Sequence, residues 1–118
     1  MNKPLYYLAS PYQSIENNIL KSMGTELELY YKGIQVINPL TILPNVTDNE
    51  KRAMKICKKL LLTCDALILS GNWENSRGCI QELNWTIKAN MEVFVYRNGE
   101  LINVKTKGDP DINANERR

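Results

Sequence analysis

The unbroken apolar run Ala66-Leu67-Ile68-Leu69, introduced by Asp65, is the feature that most constrains what this chain can fold into. A strand that is apolar on both faces must be covered on both, which favours a parallel sheet flanked by helices over a half-solvated antiparallel one. Leu5–Ala9 is a second run of this kind, closed by Ser10 and Pro11. Residues 35–38 read as a further strand, ended by Pro39 because proline cannot donate to a sheet ladder, and residues 93–96 as a fourth.

Helical spacing fills the intervals. From Ser14, the positions Ile15, Ile19, Met23, Leu27 and Tyr30 or Tyr31 fall three to four apart, and Gly33 suits the stop. Gly24 inside that pattern costs about 1 kcal/mol relative to alanine. Residues 41–46 read as a loop. Thr47 and Glu50 have capping-box spacing for a helix through about Thr63, with Ala53, Ile56, Cys57, Leu60 and Leu61 as its apolar face. Another helix is expected over residues 76–90, with Cys79, Ile80, Leu83 and Ile87 on its core stripe. Asn98-Gly99 is a hairpin signal that lets residues 101–104 return as an antiparallel edge strand.

Such alternation predicts an α/β doubly wound sheet, its parallel strands in the order 2-1-3-4 with helices on both faces. With 118 residues the chain is long enough for one core, so residues 1–104 are expected to form a single domain and residues 105–118 a polar tail.

Charge and cysteine content narrow the partners. Fifteen basic and thirteen acidic residues give a net charge of +2, too even for a footprint on a nucleic-acid polymer. The cluster Lys51, Arg52, Lys55, Lys58 and Lys59 recurs at helical spacing beside an apolar face and reads as a solvated helix surface. Three cysteines without CxxC spacing, and no histidine, argue against a disulfide framework or a bound metal, and no cofactor is expected. No apolar run approaches the ~20 residues of a membrane span. Residues 1–4 lead straight into a strand pattern, so no secretory leader and a cytoplasmic setting are expected.

Open α/β sheets bind ligands beyond the carboxyl ends of their strands, which nominates the loops at residues 9–14, 39–46 and 70–78. In the last of these, Trp73, Ser76, Arg77 and Gly78 lead into a helix whose first amides form a seat for an anion. Ser76 is equally read as no more than the cap of that helix. Glu82 lies one turn on, on the side of Gly78, where it either faces the crevice or is an ordinary solvated glutamate. Tyr7, Ser10, Pro11 and Tyr12 come to the same edge from the first loop, and tyrosine at such a place either orients a carboxylate or packs in the core. Asp65 and Asn38 are turn formers or polar contacts to a ligand.

Four stretches together resemble the nucleoside 2-deoxyribosyltransferase-like superfamily: Tyr7-Leu8-Ala9-Ser10-Pro11-Tyr12, Gly33 followed by Asn38-Pro39, Cys64-Asp65-Ala66-Leu67, and Trp73-Glu74-Asn75-Ser76-Arg77-Gly78 leading to Glu82. The resemblance implies a flavodoxin-like fold and cleavage or exchange of the N-glycosidic bond of a (deoxy)nucleoside or its 5′-monophosphate. In that scheme Glu82 is the nucleophile, Tyr7 orients it, Asp65 contacts sugar or base, and Ser76 with Gly78 holds a 5′-phosphate. It also implies a homodimer or larger homo-oligomer, because members commonly complete the pocket with a neighbouring subunit. A non-catalytic protein that senses or sequesters a nucleotide is the alternative, and a scaffold for protein interaction is a third.

Overall fold

A computed structural model of the chain describes residues 3–11, 15–42 and 50–106. Chain order gives β1 (Leu5–Ala9), α1 (Ile15–Tyr31), β2 (Gln35–Ile37), α2 (Pro39–Ile42), α3 (Glu50–Thr63), β3 (Ala66–Ser70), a 3-10 turn (Trp73–Asn75), α4 (Arg77–Lys88), β4 (Glu92–Arg97) and β5 (Glu100–Lys105). The strands form one mixed sheet in the order β2-β1-β3-β4-β5. The first three adjacent pairs are parallel and β4–β5 is antiparallel, so the four parallel strands are extended by a fifth, antiparallel strand at the edge. Asn98 and Gly99 both take positive φ, 54° and 76°, as a tight hairpin turn requires.

Alternation along the strands sorts the core into two layers. Tyr7, Ala9, Leu67, Leu69 and Val93 face α3 and α4, where Cys57, Leu61, Cys64 and Cys79 meet them. Leu8, Ile68 and Tyr96 face the other way, against Leu29 of α1. Every residue of β3 is buried, which is what the unbroken apolar run requires.

Several local expectations are corrected. Pro39 does not merely end a strand but opens α2, a position where its missing N–H is harmless. Asn38 caps that turn: its Oδ1 accepts from the Leu40 amide at 3.1 Å, and its Nδ2 donates to Ser22 Oγ at 3.1 Å and Glu26 Oε1 at 3.2 Å. Ile80, expected on the core stripe of α4, is 37% exposed, while Glu82 and Thr86 are buried beside Cys79. The stripe that announced α1 is turned outward: Met23, Leu27, Tyr30 and Tyr31 are exposed, and Ser22 and Leu29 are buried instead. Thr47 and the loop at residues 43–46 lie outside the described residues.

Strand β5 reaches Lys105, one residue into the stretch expected as a polar tail. Its side chain is buried, with Nζ donating at 3.3 Å to Asn90 Oδ1 and to the carbonyls of Met91 and Thr106. Among the described residues no helix is long and apolar enough to cross a membrane.

Candidate active site

The carboxyl ends of β1 and β3 are tied together before any functional group is considered. Ser70 Oγ donates to the Ala9 carbonyl at 3.1 Å, so the Ser10 hydroxyl, 2.8 Å away, donates to Ser70. Gly71 follows with φ +64°, and a Cβ there would lie 3.4 Å from the Pro11 ring. This close approach of the two loops, with a left-handed backbone, is a position that favours glycine.

Beyond that crossing, Ser76 starts α4. Its Oγ accepts from the Cys79 amide at 3.2 Å, so the hydroxyl is a helix cap. The amides of Arg77 and Gly78, in the first turn, have no intrahelical partner by geometry and form the positive end of the helix. Trp73, just before, has its indole Nε1 buried without a hydrogen-bond partner. Arg77 is exposed.

One turn into α4 the helix turns a carboxyl group into the protein. Glu82 is 6% exposed, and Tyr7, wholly buried in the middle of β1, donates its hydroxyl hydrogen to Glu82 Oε2. The backbone around it is pinned as well, since Thr86 Oγ1 donates to the Glu82 carbonyl at 2.8 Å. Burial pushes the Glu82 carboxyl up to about 7, and the Tyr7 hydroxyl acts in the opposite direction by favouring the anion. The same burial raises Tyr7 far above its ordinary range, with the Glu82 charge adding to the effect. Burial likewise lifts the neighbouring thiols, Cys57 upward and Cys79 to about 12. At neutral pH, therefore, Glu82 is the group in this cluster that changes charge. A carboxyl balanced near pH 7 against a fixed O–H donor is suited to nucleophilic or acid–base work.

Not all the residues expected at the site converge there. Tyr7 and Glu82 meet directly, and Ser10, Pro11, Trp73, Ser76, Arg77 and Gly78 lie on the two loops at the carboxyl edge. Tyr12 is outside the described residues. Asn38 is at that edge, but its amide is consumed in holding α1 to α2. Asp65 is at the opposite, amino end of β3, where its Oδ2 accepts from the Leu5 amide at 2.7 Å and its own amide donates to the Leu5 carbonyl at 2.7 Å. It clamps β1 to β3 and does not approach Glu82.

Sequence reasoning missed Ser70 and Cys57. The first had a signal, a hydroxyl ending an otherwise apolar strand; Cys57 had none, because an apolar helix face says nothing of what lies opposite. A cleft of about 790 Å³ opens at the same edge, between Glu28 of α1, Ser70 to Asn72, Glu74 and the Tyr96–Arg97 end of β4. There Tyr96 donates to Glu28 at 2.6 Å and Arg97 pairs with Glu74 at 2.8 Å, and Glu82 is not among its walls. Among the described residues, no cluster of cysteine and acidic side chains is arranged to hold a metal ion.

With that geometry in place, comparison with known families is informative about membership. The model of a family described as a domain of unknown function, DUF4406, matches residues 6–95. The chain belongs to this family. The DUF4406 match begins within β1 and ends within β4, so it contains both Tyr7 and Glu82 and leaves β5 outside. No curated protein matches the chain.

Proposed function

We propose that the chain cleaves or exchanges the N-glycosidic bond of a nucleoside or its 5′-monophosphate, with Glu82 as nucleophile. The observation that carries this reading is the buried pair in which the Tyr7 hydroxyl fixes one oxygen of Glu82 while burial keeps the carboxyl near neutrality. Glu82, as the carboxylate, attacks C1′ as the C1′–base bond breaks, and the departing base takes a proton from water. Water or a second base then attacks C1′ of the glycosyl ester and gives up a proton to solvent as the C1′–Glu82 bond breaks, which returns the carboxylate. A positioned carboxylate suits this chemistry because it meets an oxocarbenium-like transition state and divides one difficult step into two.

The doubly wound, flavodoxin-like reading places the ligand at the carboxyl edge, where the strand order reverses between β1 and β3. A 5′-phosphate would rest on the Arg77 and Gly78 amides, one turn, about 6 Å along the axis, from Glu82. The unpartnered Trp73 N–H is a further donor at that edge. Asp65, engaged with Leu5, has no part in the scheme, so the sequence-based role for it is dropped.

The second reading, a nucleotide-binding protein without turnover, is favoured by the near-complete burial of Glu82 and its separation from the 790 Å³ cleft. Incubation with a panel of nucleosides and nucleotides, read by chromatography for free base, separates the two. Base release by the wild type that Glu82→Gln abolishes is the expected result. Equal release by both would overturn the assignment, and ligand binding without release by either selects the second reading.

A further inference from the structure

Helix α3 carries its charges against the preferences of a helix. Lys51, Arg52, Lys55, Lys58 and Lys59 are all exposed, and Glu50, its first residue, is the only acidic one in it. Lys55 has a basic residue at each position three and four away, where like charges weaken a helix. Lys51 and Arg52 also stand in the first turn, at the positive end of the helix dipole, where a cation is unfavourable. Among the described residues Lys51, Lys55 and Lys59 reach no carboxylate, the ion pair formed there being Arg97 with Glu74. A pattern that weakens its own helix and gains no ion pair inside the chain points to a contact outside it.

The neighbouring helix extends the same surface. α3 and α4 cover one face of the sheet, and both run from its carboxyl edge to its amino edge. At 100° per residue Arg77, Gln81, Trp85 and Lys88 fall within an arc of about 80° on α4. Trp85 shows where that arc lies, since Lys58 Nζ is 5.4 Å from the centroid of its ring. Glu82, the only acidic residue of α4, is turned into the core. The two helices thus hold seven basic residues and two acidic ones in a chain of net charge +2, so the remainder of the chain is net negative. The near-even count of the two signs conceals their separation in space.

What this face lacks selects its partner. Leu62 is the one large apolar side chain exposed on α3, because Cys57 and Leu61 are committed to the core. A helix with no free apolar face does not embed in a membrane surface. Protein interfaces are depleted of lysine, whereas nucleic-acid interfaces are much more positive. From Lys51 to Lys59 the charges extend about 12 Å along the helix, and over that length one strand of a duplex presents about three or four phosphates, ~3.4 Å apart.

We propose that the α3–α4 face docks on the phosphodiester backbone of a nucleic-acid duplex, held by Lys51, Lys55, Lys58 and Lys59. The inference rests on no part of the glycosidic reading, and its test is read without turnover.

Labelled DNA and RNA duplexes of about 20 base pairs are titrated with the full chain at about 50 and about 200 mM salt and read by fluorescence anisotropy. The wild type binds one or both at the lower salt. Four phosphate contacts give a slope of about −3.6 in log K against log salt, so affinity falls about 150-fold between the two conditions. Lys55→Glu combined with Lys59→Glu halves that slope to about −1.8 and weakens binding at low salt about 10-fold or more. Circular dichroism shows the variant folded, with a melting temperature no lower than that of the wild type, since like-charge pairs are removed. Lys21→Glu combined with Lys32→Glu makes the same change in net charge at exposed positions in and just after α1, across the sheet, and alters binding less than about threefold. No binding to either duplex at about 50 mM salt and about 100 micromolar protein overturns the proposal, including where vesicles of anionic phospholipid are bound instead. So does equal weakening by the two double variants, because net charge and not this face would then be responsible.

Discussion

Replacing Glu82 by glutamine should make the protein more resistant to rising pH. The folded state holds the Glu82 proton up to about pH 7, whereas the unfolded chain releases it near the ordinary value of 4.5. Between those values the folded form binds more protons, so stability falls as pH rises through the interval, and the loss is complete above the folded value. With one pKa unit worth about 1.4 kcal/mol, the full displacement corresponds to about 3 kcal/mol, most of which is lost between pH 5 and pH 8. Glutamine keeps the size and an oxygen acceptor for Tyr7 but does not titrate, so that part of the pH dependence vanishes. The assay is denaturant unfolding of wild type and Glu82→Gln at pH 5 and pH 8. The difference between the two differences cancels every other titrating group, as well as any constant cost of burying an amide. In thermal melts the same quantity appears as a relative shift of about 10 °C, at roughly 4 °C per kcal/mol for a chain of this size. Parallel pH profiles for the two proteins would refute the reasoning, since they would mean that Glu82 titrates at its ordinary value and is not buried as described.

Two further outcomes follow from the same geometry. Tyr7→Phe removes the donor that favours the Glu82 anion, so the carboxyl should titrate above 7 and stability at pH 8 should fall by about 1–3 kcal/mol; a carbon-13 titration of the Glu82 carboxyl with an unchanged midpoint would count against that link. Asp65→Ala removes the acceptor for the Leu5 amide, which should lower stability by about 1 kcal/mol and leave base release per folded molecule unchanged; loss of release in a folded variant would mean that Asp65 reaches the substrate.

The parallel core was legible because β3 carries its own proof: no half-solvated strand tolerates Ala66 to Leu69 without a polar residue. Glu82 was singled out through the family resemblance carried by the stretch from Ser76 to Glu82, but its burial was not legible, because helical periodicity shows where a stripe lies and not which stripe faces the sheet. α4 illustrates this with Ile80 turned out and Glu82 turned in, and α1 more strongly with its tyrosines in solvent. Asp65 is a different case. It precedes β3, and strand polarity alone puts it at the amino end, away from an edge where ligands bind; the residue type suggested chemistry that its position could not serve. Asn38-Pro39 held a helix start that a strand-ending proline concealed, since the same dipeptide serves both purposes.

The energetics also separate a working carboxylate from a structural one. A buried glutamate kept only for packing would be expected to sit with a cation, but in this cluster a neutral hydroxyl is the partner and two thiols raised by burial stand nearby. Such an arrangement stabilises the charge only partly, which leaves the carboxyl near pH 7 and makes the fold less stable wherever it is ionised. Packing of α4 through Cys79 and Leu83, its Ser76 cap and the Thr86 bond to the Glu82 carbonyl must offset that cost. A group retained for reactivity should therefore give a glutamine variant that gains stability relative to wild type as pH rises while losing base release. One retained for structure should lose stability at every pH, and the pair of measurements distinguishes the two without reference to any substrate in particular.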